Sequence, residues 1–150
     1  MITATSSNDS NIDPNNAQIE PVIGKLSVVI IEDSASIRQR LIELVEQHAN
    51  MMVVGIAATE QAAIALCRST KPGAIILDMQ LEVGTGLGLL KTMAYAKSLN
   101  KPAIIVLTNF PSKSIEKAAL ALGADKFLDK SLEFDQLMPL LQAAASAATH

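Results

Sequence analysis

The stretch LSVVII, Leu26–Ile31, decides the fold of this chain. It is rich in β-branched residues, too short for a helix and apolar on both faces, which is the pattern of a strand buried inside a parallel sheet. Two acidic residues, Glu32 and Asp33, follow it directly. The sequence therefore predicts a buried first strand with carboxylates at its carboxyl end.

The same pattern returns along the rest of the chain. Short apolar runs predict further strands over residues 51–57, 73–77, 103–107 and 126–128. Between them, apolar residues recur at helical spacing. Ser34 is a good N-cap for the first helix, and Pro111 stands where the fourth helix should begin. Five strands alternating with five helices predict an α/β fold, a doubly wound parallel sheet with helices on both faces.

Composition narrows the class of protein. The chain has 150 residues, of which 49% are hydrophobic and 18% charged, so one folded domain with a substantial core is expected. A net charge of −3 argues against direct nucleic-acid binding. No run of about 18 apolar residues is present, so no membrane insertion is expected. The single cysteine, Cys67, excludes an internal disulfide and suits a cytoplasmic location.

The ends of the chain differ in composition from its middle. Residues 1–24 are rich in Ser, Asn and Asp, and they lack the basic and apolar regions of a signal peptide. They are predicted to form a flexible leader. Residues 25–147 should form the domain, and residues 148–150 a frayed tail.

Chemistry is expected where the strands end. In an open α/β sheet, ligands bind outside the carboxyl ends of the strands. Asp78 follows the third strand, Thr108 the fourth, and Lys130 comes shortly after the fifth. Together with the acidic pair after the first strand, these side chains should converge on one edge of the sheet.

The residue types in this set suit phosphoryl chemistry. Clustered carboxylates repel one another unless a cation lies among them, and oxygen ligands without His or Cys favour Mg²⁺. One carboxylate can attack phosphorus and form an acyl phosphate. The Lys130 ammonium and the Thr108 hydroxyl could then stabilise the charge that develops on the phosphoryl oxygens.

With these intervals, the chain resembles the receiver domain of bacterial two-component response regulators. Thr108 lies 30 residues beyond Asp78, and Lys130 lies 52 beyond it. The segment GADKFLDK, residues 123–130, is similar to the family's Gly-Ala-x-x-aromatic-Leu-x-Lys motif. The resemblance covers about residues 26–145. It implies a flavodoxin-like (βα)5 fold with strand order 2-1-3-4-5.

The resemblance also implies roles for the site residues. Asp78 would be the phosphoacceptor. Asp33 would bind Mg²⁺ directly, Glu32 through water, and Gln80 through its backbone carbonyl.

Two further roles concern signalling. Lys130 and Thr108 would contact the phosphoryl group, and Phe127 would turn inward after Thr108 moves, which remodels the surface of the fourth helix, fifth strand and fifth helix. The implied partners are a sensor histidine kinase or histidine phosphotransfer protein, and a downstream protein target.

Three positions depart from the family's commoner pattern. Ser131 stands where a proline, often after a cis bond, is frequent. Glu82 replaces a proline that is common in the loop after Asp78, and Asn109 stands where a smaller residue is usual. The side chains of Asn109 and of the next residue, Phe110, with Gln80, could flank the route of attacking water, so we expect slow loss of the phosphoryl group.

Other interpretations stay open. The chain ends about 20 residues after Lys130, which leaves no room for an output domain, so a stand-alone, non-enzymatic regulator is expected. Alternatively, it is the receiver part of a longer regulator with a DNA-binding output domain, or a pseudo-receiver adaptor that works without phosphorylation. A phosphatase on a similar sheet would need Asp-x-Asp, whereas here Asp78 is followed by Met79 and Gln80.

Overall fold

The computed structural model describes residues 24–148. Apart from Gly24, the predicted leader lies outside the described residues. Of the predicted tail only Ala148 is described, and it is the last residue of a helix. The domain limits at 25 and 147 therefore stay predictions.

Five parallel strands form one sheet in the order β2-β1-β3-β4-β5, which confirms the predicted topology. They are β1 (Leu26–Ile31), β2 (Met51–Ala57), β3 (Ala74–Leu77), β4 (Ala103–Thr108) and β5 (Lys126–Asp129). Each inner strand is almost entirely buried, because helices cover both faces of the sheet.

Five α-helices connect and follow the strands. They are α1 (Ala35–Glu46), α2 (Glu60–Thr70), α3 (Gly86–Met93), α4 (Lys113–Ala121) and α5 (Leu137–Ala148), with short 3₁₀ turns at Tyr95–Lys97 and Phe134–Gln136. Among the residues described, no helix is both long and apolar enough to cross a bilayer.

The sheet separates two apolar cores. Side chains alternate along a strand, so neighbours such as Ile30 and Ile31 enter opposite cores. Helices α1 and α5 cover one face, where Leu41 and Leu141 are fully buried. Helices α2, α3 and α4 cover the other face. The continuous apolar runs in the sequence follow from this double burial.

Helix N-caps fix the turns that leave the carboxyl ends of four strands. Each capping hydroxyl accepts a hydrogen bond from a backbone N–H three residues later; the four caps are Ser34, Thr59, Thr85 and Ser112. The predicted start of the fourth helix at Pro111 is wrong by two residues, because Ser112 provides the cap and the helix begins at Lys113.

The turn after β5 lacks the cis peptide bond that often precedes the proline found at position 131 in the family. Within residues 24–148 no peptide bond is cis, so the bond between Lys130 and Ser131 is trans. The Asp129 carboxylate accepts hydrogen bonds from the Ser131 N–H and hydroxyl at 2.9 and 2.7 Å. These bonds lower the pKa of Asp129.

Candidate functional site

Four polar or charged side chains are buried at the carboxyl edge of the sheet: Glu32, Asp78, Thr108 and Lys130. β1 and β3 are adjacent, and the Asp78 N–H donates to the Ile31 carbonyl at 3.0 Å, so Asp78 and Glu32 lie side by side. Charged groups are rarely buried unless they are paired. The burial of three charged groups together therefore indicates a site rather than ordinary packing.

Lys130 joins the two buried carboxylates. Its Nζ donates to Glu32 Oε1 at 2.7 Å and to Asp78 Oδ2 at 2.9 Å. Lys130 is anchored by its backbone N–H, which donates to the Thr108 carbonyl at 2.8 Å. In the strand order, β4 separates β5 from β3, and β4 and β3 together separate it from β1. The Lys130 side chain therefore reaches across one strand to Asp78 and across two strands to Glu32.

The electrostatics of this group are those of an anionic site. Burial raises the pKa of Glu32 above its ordinary value, although the hydrogen bond from Lys130 lowers it in part. Burial by itself would lower the pKa of Lys130, but its hydrogen bonds to Glu32 and Asp78 outweigh that effect and raise it. Lys130 is therefore charged at neutral pH, and one ammonium faces three carboxylates when the neighbouring Asp33 is included.

The carboxylates are close enough to share a cation. One oxygen from each of Glu32, Asp33 and Asp78 lies within 4.8 Å of the others, and Asp33 is exposed. The oxygens of Glu32 are already engaged, Oε1 by Lys130 and Oε2 by the Ser34 N–H at 3.0 Å. Both Asp78 oxygens also accept hydrogen bonds, Oδ1 from the Gln80 N–H and Oδ2 from Lys130. Asp33 is thus the most accessible of the three ligands, and a set of oxygen donors alone fits Mg²⁺.

Gln80 lies beside this group. Its N–H donates to Asp78 Oδ1 at 3.2 Å, and it forms an isolated antiparallel bridge with Thr85. A cavity of about 260 Å³ opens above Asp78 and is lined by Glu32, Asp33, Ser34, Ile37, Asp78, Gln80, Asn109, Phe110 and Lys130. The structure therefore brings together five of the predicted residues: Glu32, Asp33, Asp78, Gln80 and Lys130.

Thr108 and Phe127 are placed differently. Thr108 is the last residue of β4 and is fully buried, and its hydroxyl accepts the Phe110 N–H at 3.4 Å instead of lining the cavity. Phe127 is half-buried on β5 and packs against the core on the side of α2, α3 and α4. The structure thus leaves their switching roles as predictions.

Glu60 is a neighbouring residue that the sequence did not single out. Its Oε1 accepts the N–H of Thr85, the N-cap of α3, at 2.9 Å, and its own N–H donates to the Val83 carbonyl. A Cβ added at Gly84 or Gly88 would lie 2.4 or 2.3 Å from Glu60 side-chain atoms. Glu60 therefore holds the loop that follows Asp78. The pair of glycines four residues apart is the signal that could have revealed this close approach.

The chain is similar to known proteins over most of its described length. A sequence model of the response regulator receiver domain matches residues 28–142. A protein-glutamate methylesterase/protein-glutamine glutaminase of Burkholderia thailandensis is 34% identical over 107 residues, which cover 70% of this chain and 29% of that protein. The two curated relatives compared are matched over only 28% and 29% of their length.

Solved structures agree on the fold. The response regulator domain of CheB from Thermotoga maritima superposes with a TM-score of 0.69 at 26% identity, covering 83% of this chain and 96% of that one. A DNA-binding response regulator of the LuxR family from Staphylococcus aureus gives 0.71 at 22% identity, with 80% and 98% covered, which supports the fold alone.

The buried acidic group, its lysine, the strand order and the matched residues all agree. The chain belongs to the response regulator receiver domain family.

Proposed function

We propose that this receiver accepts a phosphoryl group on Asp78 from a histidine kinase or a histidine phosphotransfer protein, with Mg²⁺. The observation that carries the proposal is the position of the Asp78 carboxylate. It is buried, it borders an open polar cavity, and it is held from two sides by the Gln80 N–H and the Lys130 ammonium. A carboxylate that only capped a helix would not need a buried lysine partner.

Mg²⁺ would be held by Asp33 and Asp78, by Glu32 through water and by the backbone carbonyl of Gln80. When bound, it supplies the positive charge that offsets the excess of carboxylates and stabilises phosphoryl oxygens.

The protein groups would divide the remaining work. An Asp78 oxygen attacks phosphorus, the new O–P bond forms as the P–N bond of the donor phosphohistidine breaks, and the imidazole leaves with its electron pair. Lys130 then pairs with a phosphoryl oxygen. The Thr108 hydroxyl would leave the Phe110 N–H to reach another oxygen, and Phe127 would follow it inward.

The lifetime of the acyl phosphate should depend on the rim of the cavity. Asn109 and Phe110 both line it, and Phe110 is largely exposed. Their bulk beside the route of attacking water supports slow hydrolysis. Dephosphorylation that is faster in Asn109→Ala and Phe110→Ala would support this view, and unchanged rates would remove it.

The signal would pass through protein contacts in the cytoplasm. The donor protein would dock on the face of α1 near Ile37, Arg38 and Leu41, with contacts made by Ile37 and Arg38 because Leu41 is fully buried. The output surface would be formed by α4, β5 and α5. Neither nucleic acid nor membrane is a proposed partner of this receiver.

A longer regulator is the second candidate. It is favoured by one observation, that the chain spans less than a third of the curated relatives' length. In that case an output activity, enzymatic or DNA-binding, would belong to another part of the protein, and the receiver itself would remain a phosphoacceptor without enzymatic output. A third possibility is an adaptor that works without phosphorylation. The labelling experiment distinguishes this adaptor from a phosphoacceptor.

The test is Mg²⁺-dependent labelling by acetyl phosphate, followed by intact mass. We expect one added phosphoryl group on the wild type and none on Asp78→Asn, with Asp125→Asn as a control that removes an exposed carboxylate outside the site. A short-lived adduct is covered by a parallel measurement of beryllofluoride binding. Failure of both, with Mg²⁺ binding demonstrated, would favour the adaptor.

A further inference from the structure

A second cavity lies at the opposite end of the sheet from Asp78. It has a volume of about 420 Å³ and is lined by Cys67, Arg68, Lys71, Pro72, Met93, Tyr95, Ser98, Asn100 and Pro102. Pro72 and Pro102 come just before β3 and β4, and Cys67 and Met93 lie in the last turns of α2 and α3. The cavity is therefore at the amino edge of the sheet, and none of its residues belongs to the phosphoacceptor site.

The floor of this cavity is apolar and uncharged. Cys67 and Tyr95 are buried, and so are Pro72 and Pro102. Burial raises the pKa of the Cys67 thiol and of the Tyr95 phenol. Both groups are thus neutral at physiological pH and contribute no negative charge.

The rim of the cavity is cationic. Arg68 and Lys71 are exposed and line it, no acidic residue does, and no ion pair within residues 24–148 involves either cation. Lys71 is the left-handed C-cap of α2, at φ 46°, a conformation uncommon outside glycine.

The ends of α2 and α3 work against this positive charge, but they do not cancel it. Each helix C-terminus carries roughly half a negative elementary charge, so the two ends together offset about one of the two cations. A net positive charge remains above an apolar floor. The volume lies in the range of small-molecule sites, roughly 300–1,000 Å³.

We propose that this cavity binds a small organic carboxylate, with the carboxylate between Arg68 and Lys71 and an aliphatic or aromatic body against Tyr95 and Met93. The apolar floor selects the body of the ligand, and the two cations select its charge. The site would be independent of phosphorylation at Asp78.

The chain contains its own reporters for this site. It has one tyrosine, one cysteine and no tryptophan, and both reporters lie on the cavity floor. Hexanoate, which does not absorb where tyrosine does, serves as the probe, and hexanamide is its uncharged match. Binding is followed by tyrosine emission and by the rate at which iodoacetamide alkylates Cys67, read by intact mass.

We expect hexanoate to change the emission saturably, to slow alkylation, and to bind about tenfold more tightly than hexanamide. Arg68→Gln combined with Lys71→Gln should weaken hexanoate binding about tenfold and leave hexanamide unchanged. Lys113→Gln combined with Lys117→Gln, on α4, removes the same net charge away from the cavity and should change neither.

Three outcomes would overturn the proposal. They are equal affinity for hexanoate and hexanamide, hexanoate binding that survives loss of both cations, and no saturable effect in either readout up to about 50 mM hexanoate. Labelling of Asp78 is measured separately, so its failure would leave this result intact.

Discussion

Replacing Lys130 by methionine tests whether the buried ammonium holds the site together. Lys130→Met keeps the apolar part of the side chain nearly unchanged in length and volume, and it removes the charged amino group. Two buried carboxylates, Glu32 and Asp78, then lose their shared partner.

The expected loss follows from the geometry. At 2.7 and 2.9 Å, Coulomb's law with an effective dielectric of about 20 gives roughly 6 kcal/mol of attraction for each contact. Burial of the three charges offsets most of this in the wild type, but in the variant the cost of burying two like charges remains without compensation. Removing one partner of a buried pair typically costs about 3–5 kcal/mol, and we expect about 3 because the cavity admits solvent.

Urea unfolding at pH 7 without Mg²⁺ measures this loss. The matched control is Lys101→Met, which breaks the partly exposed Lys101–Asp125 ion pair and should cost at most about 1 kcal/mol. Mg²⁺ should recover a large part of the deficit in Lys130→Met, because the cation supplies the missing charge, and should do little for the control.

The pH dependence provides a second check with a definite sign. Burial raises the pKa of Glu32, and without the ammonium that rise is no longer offset in part by the hydrogen bond from Lys130, so the folded variant binds protons more tightly than the unfolded chain. Its deficit relative to the wild type should shrink as the pH falls toward 5 and grow as the pH rises. A loss no larger than that of Lys101→Met, with no response to pH or Mg²⁺, would refute the electrostatic account of the site.

Three further predictions concern other residues. Without Mg²⁺, Asp33→Asn should be as stable as the wild type or up to about 1 kcal/mol more stable, since it relieves carboxylate repulsion. It should also lose most of the rise in Tm that Mg²⁺ produces in the wild type. An undiminished rise would contradict the assignment of Asp33 as a ligand. Glu60→Ala should lose about 1 kcal/mol and weaken Mg²⁺ binding, while Glu60→Gln, which keeps an acceptor for the Thr85 N–H, should lose less. Absorbance at 295 nm follows ionisation of the Tyr95 phenol, whose pKa in the folded chain should lie well above the pKa of about 10 expected in urea. Stability should therefore fall as the pH rises past about 10. A midpoint near 10 in the folded chain would contradict the burial of Tyr95.

The strands of the sheet could be predicted from the sequence alone, because what makes a segment a buried strand depends on only a few consecutive residues. A strand buried on both faces must be apolar at consecutive positions, and runs such as Leu26–Ile31 meet that requirement within a few residues. The caps are equally local, as Ser34 and Thr85 show by accepting N–H groups three residues away. Because all five strands are parallel, the residues that follow them had to share one edge, which is why the acidic group could be predicted.

What only the tertiary structure decided is which groups meet. That Lys130 bridges Glu32 as well as Asp78 depends on strand order and on the reach of a flexible side chain across β4 and β3. The Thr108 hydroxyl faces the Phe110 N–H because the backbone turns just there, and no residue pattern shows that turn. Glu60 reads in the sequence as an ordinary acid in the first turn of a helix, yet it holds the loop after Asp78. The cavity around Tyr95 exists because two helices end side by side. Contacts between residues distant in sequence arise only when the whole chain has packed, and such contacts complete the site.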